Sequence, residues 1–259
     1  MRIDPHRGGR SRPGDAARSV IRSLEGALRA VPLFSGLRHS TLARLSADAS
    51  LIEVAKGASI YRRGDASTGL YTVVEGHVKL TLQTTHGDER VVQLAGPGRS
   101  FGEASAFLGL PHRISAEAVI DSRLLHVPGG ALLEAVRDDA QFALACLTHL
   151  SRHLYQQTSE LENYVLRSGT ERVIGYLLQE APRATSGDAL LVTLPVKKGI
   201  IASRLNLTRE HFSRILHDLT EARLIAVEGR SVRIADAARL SAYGAQAHDP
   251  LRRSAPEPG

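Results

Sequence analysis

Four side chains in one short stretch have types and spacing that suit the reading of a polyanion. The stretch is Leu207-Thr208-Arg209-Glu210-His211-Phe212-Ser213-Arg214. A helix begun at Thr208 turns about 100° per residue, so Arg209, Glu210, Ser213 and Arg214 share one arc and Phe212, Ile215, Leu216 and Leu219 share the other. An arginine can donate two hydrogen bonds to guanine O6 and N7, and a carboxylate can accept from the cytosine amino group. Serine can contact a base edge or a phosphate. Presented from the N-terminal half of a helix, these groups suit the major groove of DNA. Solubility alone explains many charged helix faces, so the types of the four residues carry the inference.

Such a face works only if neighbouring elements hold it. Lys197–Leu205 reads as a first helix, with Ile200, Ile201 and Leu205 spaced to face a core. Asn206-Leu207 is a tight turn, and Thr208 is a suitable N-cap for the second helix. Glu210 in the first turn suits the positive end of the helix dipole. Downstream, Leu224–Val227 and Val232–Ile234 flank Glu228-Gly229-Arg230-Ser231, the pattern of two strands about a glycine turn. The result is a winged helix-turn-helix. Lys197, Lys198, Arg204 and Arg230 are the expected phosphate neutralisers, and Arg233 of the wing could also reach phosphate.

These residues resemble the recognition helix of the Crp/Fnr superfamily of bacterial transcription regulators. In its Fnr-like branch a glutamate, two variable residues and serine-arginine follow one another, as Glu210, Ser213 and Arg214 do here. Arg209 matches the contacting arginine of the Crp branch. The resemblance extends from about Val31 to Leu240. It implies a homodimer on two-fold symmetric, TTGA-type sites, with RNA polymerase as a further partner.

Composition agrees with a DNA-binding protein. The 259 residues carry a formal net charge of +6, 42% are hydrophobic, and the pI is about 9.8. A basic balance favours polyanionic partners without naming one. Cys146 is the single cysteine, so no disulfide can form within the chain. This fits a reducing cytoplasm. No apolar run reaches the length of about 18 residues that a membrane helix needs, and no signal-peptide core follows the early arginines. Residues 1–30, with seven arginines, are expected to be a basic, disordered tail in which Ser19–Leu28 has some helical pattern. Residues 241–259, rich in proline near the end, are expected to be a second tail.

Between the tails, Leu33–Leu45 reads as a helical lead-in. From Leu51 to Val127 short β-rich runs alternate with glycine turns: Leu51–Val54, Ser59–Tyr61, Leu70–Glu75, His77–Gln83, Arg90–Leu94, Ala116–Ile120 and Leu124–Val127. Many short strands at regular spacing predict an antiparallel sandwich or roll. Beyond that, residues 31–137 resemble the cyclic-nucleotide-binding β-roll that Crp/Fnr proteins carry. An enzyme finds no support. His77, His86, His112 and His126 are scattered with no His-x-His pair, and there is neither a serine nucleophile elbow nor a phosphate loop with its lysine.

The resemblance locates an effector pocket at Gly102, Glu103 and Arg113. In cyclic-nucleotide binders a Phe-Gly-Glu triplet such as Phe101-Gly102-Glu103 opens the phosphate cradle, and its glutamate holds the ribose. An arginine about ten residues later meets the phosphate. Here Arg113 stands near that position, but Ile114 replaces the hydroxyl residue that follows it. Alignment from the next strand puts His112 there instead.

From Ala131, glycine and proline are absent for nearly forty residues. Leu147, Leu150, Leu154, Gln157, Leu161 and Tyr164 form a heptad-like seam, so residues 138–166 are expected to be a dimerisation helix. Gln157 and Thr158 interrupt the seam with polar groups that would face the effector or set register. His149 and His153, at i and i+4, could ligate a metal or haem only with a further ligand, so no metal site is assigned. The run Leu161–Leu166 with Glu171–Leu178 looks most like Dnr-type members, several of which sense nitric oxide through haem. The chain lacks the cysteine cluster of Fnr itself. No cofactor is required by these residues; a cyclic nucleotide and haem are the two that the resemblance suggests. Ser168 and Thr170 can start a helix running to Glu180. The expected fold is α+β: an N-terminal roll, a long dimerisation helix, and a winged helix-turn-helix over residues 167–240. The alternative function is a ligand-binding signalling module acting through protein partners.

Overall fold

The computed structural model describes residues 24–83, 89–182 and 190–247. Most of the two tails lies outside these residues. The chain divides into two compact units, Met1–Val78 with Ala95–Leu150, and Lys79–Leu94 with Ser151–Gly259.

The fold is α+β. Eight strands build two four-stranded antiparallel sheets. They are β1 (Ser50–Val54), β2 (Ser59–Tyr61), β3 (Gly69–Glu75), β4 (Val78–Gln83), β5 (Glu89–Ala95), β6 (Ser100–Phe101), β7 (Ser115–Ala118) and β8 (Ser122–Pro128). Their orders are β1-β8-β3-β6 and β2-β7-β4-β5. The register is clear in β3 against β8, where Leu70 faces Val127 and Thr72 faces Leu125, all buried apart from the shared solvent edges of the sheet. Two elements between β5 and β7 had no sequence signal: the two-residue β6 and the helix Glu103–Leu108. Both are too short for a periodicity to develop.

Three expectations need correction. Residues 24–30 are helical rather than part of a tail. Leu24 and Leu28 are buried with Phe34, Leu42, Leu45, Leu132 and Phe142 in one core. Hydrophobic burial of two leucines outweighs the polar composition that precedes them. Second, the stretch from Ala131 without glycine or proline holds two helices, and the expected helix 138–166 is found two residues shorter at its start. Gly129–Asp138 ends at Asp139, and Ala140–Leu166 begins there. Asp139 is buried, and its Oδ1 accepts from the backbone N–H of Gln141 at 3.0 Å and Phe142 at 3.3 Å. Its Oδ2 accepts from the Thr41 hydroxyl at 2.8 Å. The Thr41 bond, reinforced by the two N–H groups and Arg38, holds the Asp139 carboxyl below the usual carboxylate range. The aspartate is an N-cap, and it restarts the helix without glycine or proline. Third, residues 241–247 are helical, as the end of Ala237–Ala247. Leu240 and Gly244 of this helix are buried, and a Cβ on Gly244 would lie 3.2 Å from Ile174 Cδ1.

The second unit contains the helices Gly169–Glu180, Lys198–Arg204 and Arg209–Glu221, with a three-stranded sheet of order β10-β11-β9. Here β9 is Leu190–Thr193, β10 is Ile225–Glu228 and β11 is Ser231–Ile234. Gly169–Glu180 opens on a capping box: the Ser168 hydroxyl accepts from Glu171 N–H at 3.3 Å, and the Glu171 carboxylate accepts from Ser168 N–H at 2.6 Å. Both N-terminal donors are thereby satisfied. Among the described residues, no helix is long and apolar enough to cross a membrane.

Candidate nucleic-acid interface

The helix Arg209–Glu221 is held at both ends. At its start, Thr208 is the N-cap, and its hydroxyl accepts from His211 N–H at 3.1 Å. Before it, Asn206 makes the turn at φ 52°, a left-handed conformation that asparagine tolerates better than most residues. At its end, Leu224 N–H donates to Leu219 O at 3.0 Å and Arg223 N–H to Thr220 O at 2.9 Å. That bond pair is a Schellman closure. It normally carries glycine at the left-handed position, but here Arg223 occupies it at φ 55°.

The two faces of this helix separate cleanly. Phe212, Ile215, Leu216 and Leu219 are buried, whereas Arg209, Glu210, Ser213 and Arg214 are exposed. The start of the helix Gly169–Glu180 comes close to this region: a Cβ on Gly169 would lie 3.1 Å from Leu207, 3.3 Å from His211 and 3.3 Å from Ile215. The stem of Arg209 stands over the first helix of the pair, 4.0 Å from a Cβ built on Gly199. Lys197 is the N-cap of that helix and is exposed, Lys198 is half-buried, and Arg204 is half-buried in the last turn. Lys197, Arg209, Glu210, Ser213 and Arg214 are thus exposed on this pair of helices, and Lys198 and Arg204 are partly covered.

Arg230 departs from expectation. Its Nε donates to Leu194 O at 2.9 Å, its Nη2 donates to the same oxygen at 2.7 Å, and Nη2 also donates to Pro195 O. The guanidinium ties the wing to the segment entering the first helix. Three bonds to carbonyls leave it a strut of the wing rather than a free phosphate neutraliser. Sequence reasoning saw a basic residue in a turn; the carbonyls it meets are 35 and 36 residues away in the chain.

The roll residues assigned to the effector are dispersed in character. Gly102 has φ 84° and is the N-cap of Glu103–Leu108. A Cβ there would meet Gly69 O at 3.2 Å, Tyr71 at 3.4 Å and His112 at 3.7 Å. Glu103 is buried, with Oε1 3.9 Å from His149 Nε2. Arg113 is exposed. His112 is buried and stacks on Tyr61 with centroids 3.6 Å apart and planes 7° apart. Tyr61, Tyr71 and Phe101 extend this stack, with Tyr71 and Phe101 5.5 Å apart. Burial lowers the His112 pKa, and burial also lowers that of His126, whose ring lies 4.7 Å from Tyr71. The space beside Gly102 is therefore filled by the chain's own rings and a carbonyl. A side chain at Gly102 would meet these atoms, and the left-handed φ there also favours glycine.

The polar pair on the long helix has local partners. Gln157 Nε2 lies 3.4 Å from His153 Nε2, and the Thr158 hydroxyl donates to Leu154 O at 3.0 Å. His149 Nε2 approaches Glu103, and His153 Nε2 approaches Gln157. No cluster of three or more metal-ligating side chains occurs among the described residues. Two residues that sequence reasoning passed over, Ser203 and Asn206, bind the β4–β5 hairpin. Ser203 Oγ accepts from Val91 N–H at 3.0 Å, and Asn206 Oδ1 accepts from Arg90 Nη1 at 3.3 Å. Only their places in the helix and turn were legible, since their partners lie more than a hundred residues away.

A two-sheet roll, a long helix and a winged helix-turn-helix with an exposed arginine, glutamate and serine face are the parts of a DNA-binding regulator. Residues 51–139 match the family described as cyclic nucleotide-binding domain, and residues 171–243 match the Crp-like helix-turn-helix domain. The "CRP-like cAMP-activated global transcriptional regulator" of Mycobacterium tuberculosis is 28% identical, over 81% of this chain and 94% of that protein. The "Cyclic AMP receptor protein" of Thermus thermophilus is 30% identical, over 71% of this chain and 83% of that protein. The structure of FixK2 from Bradyrhizobium japonicum superposes with a TM-score of 0.66 at 27% identity, covering 74% of this chain and 95% of that one. The chain belongs to the Crp/Fnr family of transcription regulators, a non-enzymatic family that binds DNA through its helix-turn-helix.

Proposed function

We propose that this protein is a homodimer that reads two-fold symmetric, TTGA-type sites. The single observation behind the readout is the division of helix Arg209–Glu221 into a buried apolar face and an exposed face of Arg209, Glu210, Ser213 and Arg214. Arg209, Glu210, Ser213 and Arg214 contact base edges, Thr208 sets the helix start, and Lys197, Lys198 and Arg204 neutralise phosphates. Dimerisation is supported by the long helix. Leu147, Leu154 and Leu161, seven residues apart, are 62%, 67% and 62% exposed in the single chain. A row of leucines at heptad spacing is stable when buried against its own copy. The pair would present two recognition helices about 34 Å apart, one turn of DNA. RNA polymerase is the partner such a regulator would engage.

Two of the named relatives carry cyclic AMP in their names, whereas here Ile114 follows Arg113 in place of a hydroxyl residue, so we infer that specific DNA binding does not depend on that ligand. The test is a titration of the ligand-free protein against a TTGA-type palindrome and a scrambled duplex at fixed salt, repeated with cyclic AMP. Specific binding without cyclic AMP is expected, and no preference for the palindrome under either condition refutes the readout. Arg214→Ala should cost about 1–3 kcal/mol on the palindrome and much less on scrambled DNA. Equal losses on both would make Arg214 a phosphate contact.

A further inference from the structure

The roll helix Glu103–Leu108 and the long helix Ala140–Leu166 bring two titratable side chains together. Glu103 Oε1 lies 3.9 Å from His149 Nε2, and the two side chains are 4% and 30% exposed. The backbone fixes the acid at this point. Gly102, left-handed at φ 84°, starts the roll helix, and Glu103 follows it in the first turn. A carboxylate taken out of water is costly unless an opposite charge stands beside it. A neutral imidazole at 3.9 Å is beyond hydrogen-bond range and supplies no charge, whereas an imidazolium does. His149 keeps enough exposure to exchange a proton with water.

The other groups around the pair leave His149 as the one placed to change charge near neutral pH. Burial, and then the Glu103 charge, raises the Tyr61 pKa, so its hydroxyl stays neutral. Burial pushes the Cys146 thiol, one turn before His149, up to about 11. His112, whose Cε1 would lie 3.7 Å from a Cβ on Gly102, has its pKa lowered by burial. Of the elements packed on the roll helix, β3 carries Tyr71 and Glu75, and Glu75 pairs with Arg123. Helix Gly129–Asp138 carries Glu134, Arg137 and Asp138, all exposed. On the long helix itself, Arg152 and His153 lie one turn beyond, and His153 approaches Gln157.

We propose that Glu103 and His149 form a proton-gated tie: on mild acidification His149 takes up a proton, and its charge holds the long helix to the roll helix through Glu103. A histidine that gains an anionic partner on folding binds its proton more tightly in the folded state. The stabilisation is therefore fully present below pH about 6.5 and is lost as pH rises through the folded titration. This sign is opposite to that of His112. His149 stands two residues after Leu147 of the exposed leucine row, so the tie acts on the helix that the proposed dimer would use.

The tie rests on neither the dimer nor the DNA reading, and its test uses neither. The full-length protein, labelled at the histidine Cε1 positions, would be followed by NMR between pH about 5 and pH about 8.5, a window that spans the ordinary histidine titration. The His149 signal is the one missing from His149→Gln. Its midpoint should lie at least about half a pH unit higher in the wild type than in Glu103→Gln. In urea titrations the stability gap between wild type and His149→Gln should be wider at pH about 5.5 than at pH about 8, and the same comparison in the Glu103→Gln background should lose that dependence. Hydrogen exchange on the wild type needs no variant: protection at residues 145–153, relative to helix Gly129–Asp138, should be greater at the lower pH. Equal His149 midpoints in the two proteins, a stability gap that ignores pH, or relative protection that ignores pH would each overturn the tie.

Discussion

Replacing Arg230 with alanine separates two roles that a basic wing residue can have. In the structure its guanidinium makes three hydrogen bonds to the carbonyls of Leu194 and Pro195. A hydrogen bond from a charged donor contributes about 1.5–3 kcal/mol when buried. Arg230 is exposed as a whole, and water can replace part of what is lost, so the net cost of Arg230→Ala should be about 1–2 kcal/mol. In a domain of roughly a hundred residues, 1 kcal/mol lowers Tm by about 4–8 °C. Differential scanning calorimetry should therefore show a clear drop in the C-terminal transition. Arg230→Lys should recover little of it, because one ammonium cannot reproduce the planar fork on two carbonyls. The salt dependence of DNA binding should keep its slope, because no phosphate contact is removed. A true phosphate contact, lost once from each protomer of the dimer, would lower the magnitude of that slope by about 1.8. An unchanged Tm together with a slope reduced by that amount would refute the strut.

Three further outcomes follow from the geometry. Leu154→Glu should shift the protein to monomer in analytical ultracentrifugation while leaving its circular dichroism intact, because Leu154 is exposed in the single chain; a dimer that persists at wild-type strength would remove the long helix from the interface. Arg223→Gly should raise stability by about 0.5–1 kcal/mol in urea titration, because φ 55° strains an L side chain and not glycine; a loss would show that the Arg223 side chain makes a contact worth more than the strain. His112 has its pKa lowered by burial, so the folded state resists its protonation and the associated stability is present above pH about 6.5 and falls as pH drops below that value. His112→Phe keeps a ring against Tyr61 and should flatten part of that fall in urea titrations run from pH 7.5 to pH 5, whereas an unaltered pH profile would place the titration elsewhere.

Local patterns made the DNA-reading face legible in the sequence. The 3.6-residue period sorted Phe212, Ile215, Leu216 and Leu219 from Arg209, Glu210, Ser213 and Arg214, and the cap at Thr208 fixed the phase; every one of these residues lies on the expected side. The alternating runs likewise announced seven of the roll's eight strands within a residue or two, because strand patterning is a property of neighbours in the chain. What failed had other causes. The helix at residues 24–30 was judged by the company of a basic tail, but two leucines reached a core supplied by Phe34 and Phe142. The expected helix 138–166 is present, and what was not legible was its start at Asp139, whose carboxylate is bonded by Thr41, 98 residues away. Such partners leave no trace at the position itself.

The sequence by itself determined the order of elements, the polar face of the recognition helix and the basic character that suits DNA, because each depends on residues within a turn or two of one another. Only the tertiary structure decided that Arg230 braces the wing, that Tyr71 and His112 crowd the space beside Gly102, and that Glu103 of the roll meets His149 of the long helix. Each of those outcomes depends on which distant groups the fold brings within hydrogen-bond or van der Waals reach. A side chain's chemistry is written locally, but its partners are chosen by packing.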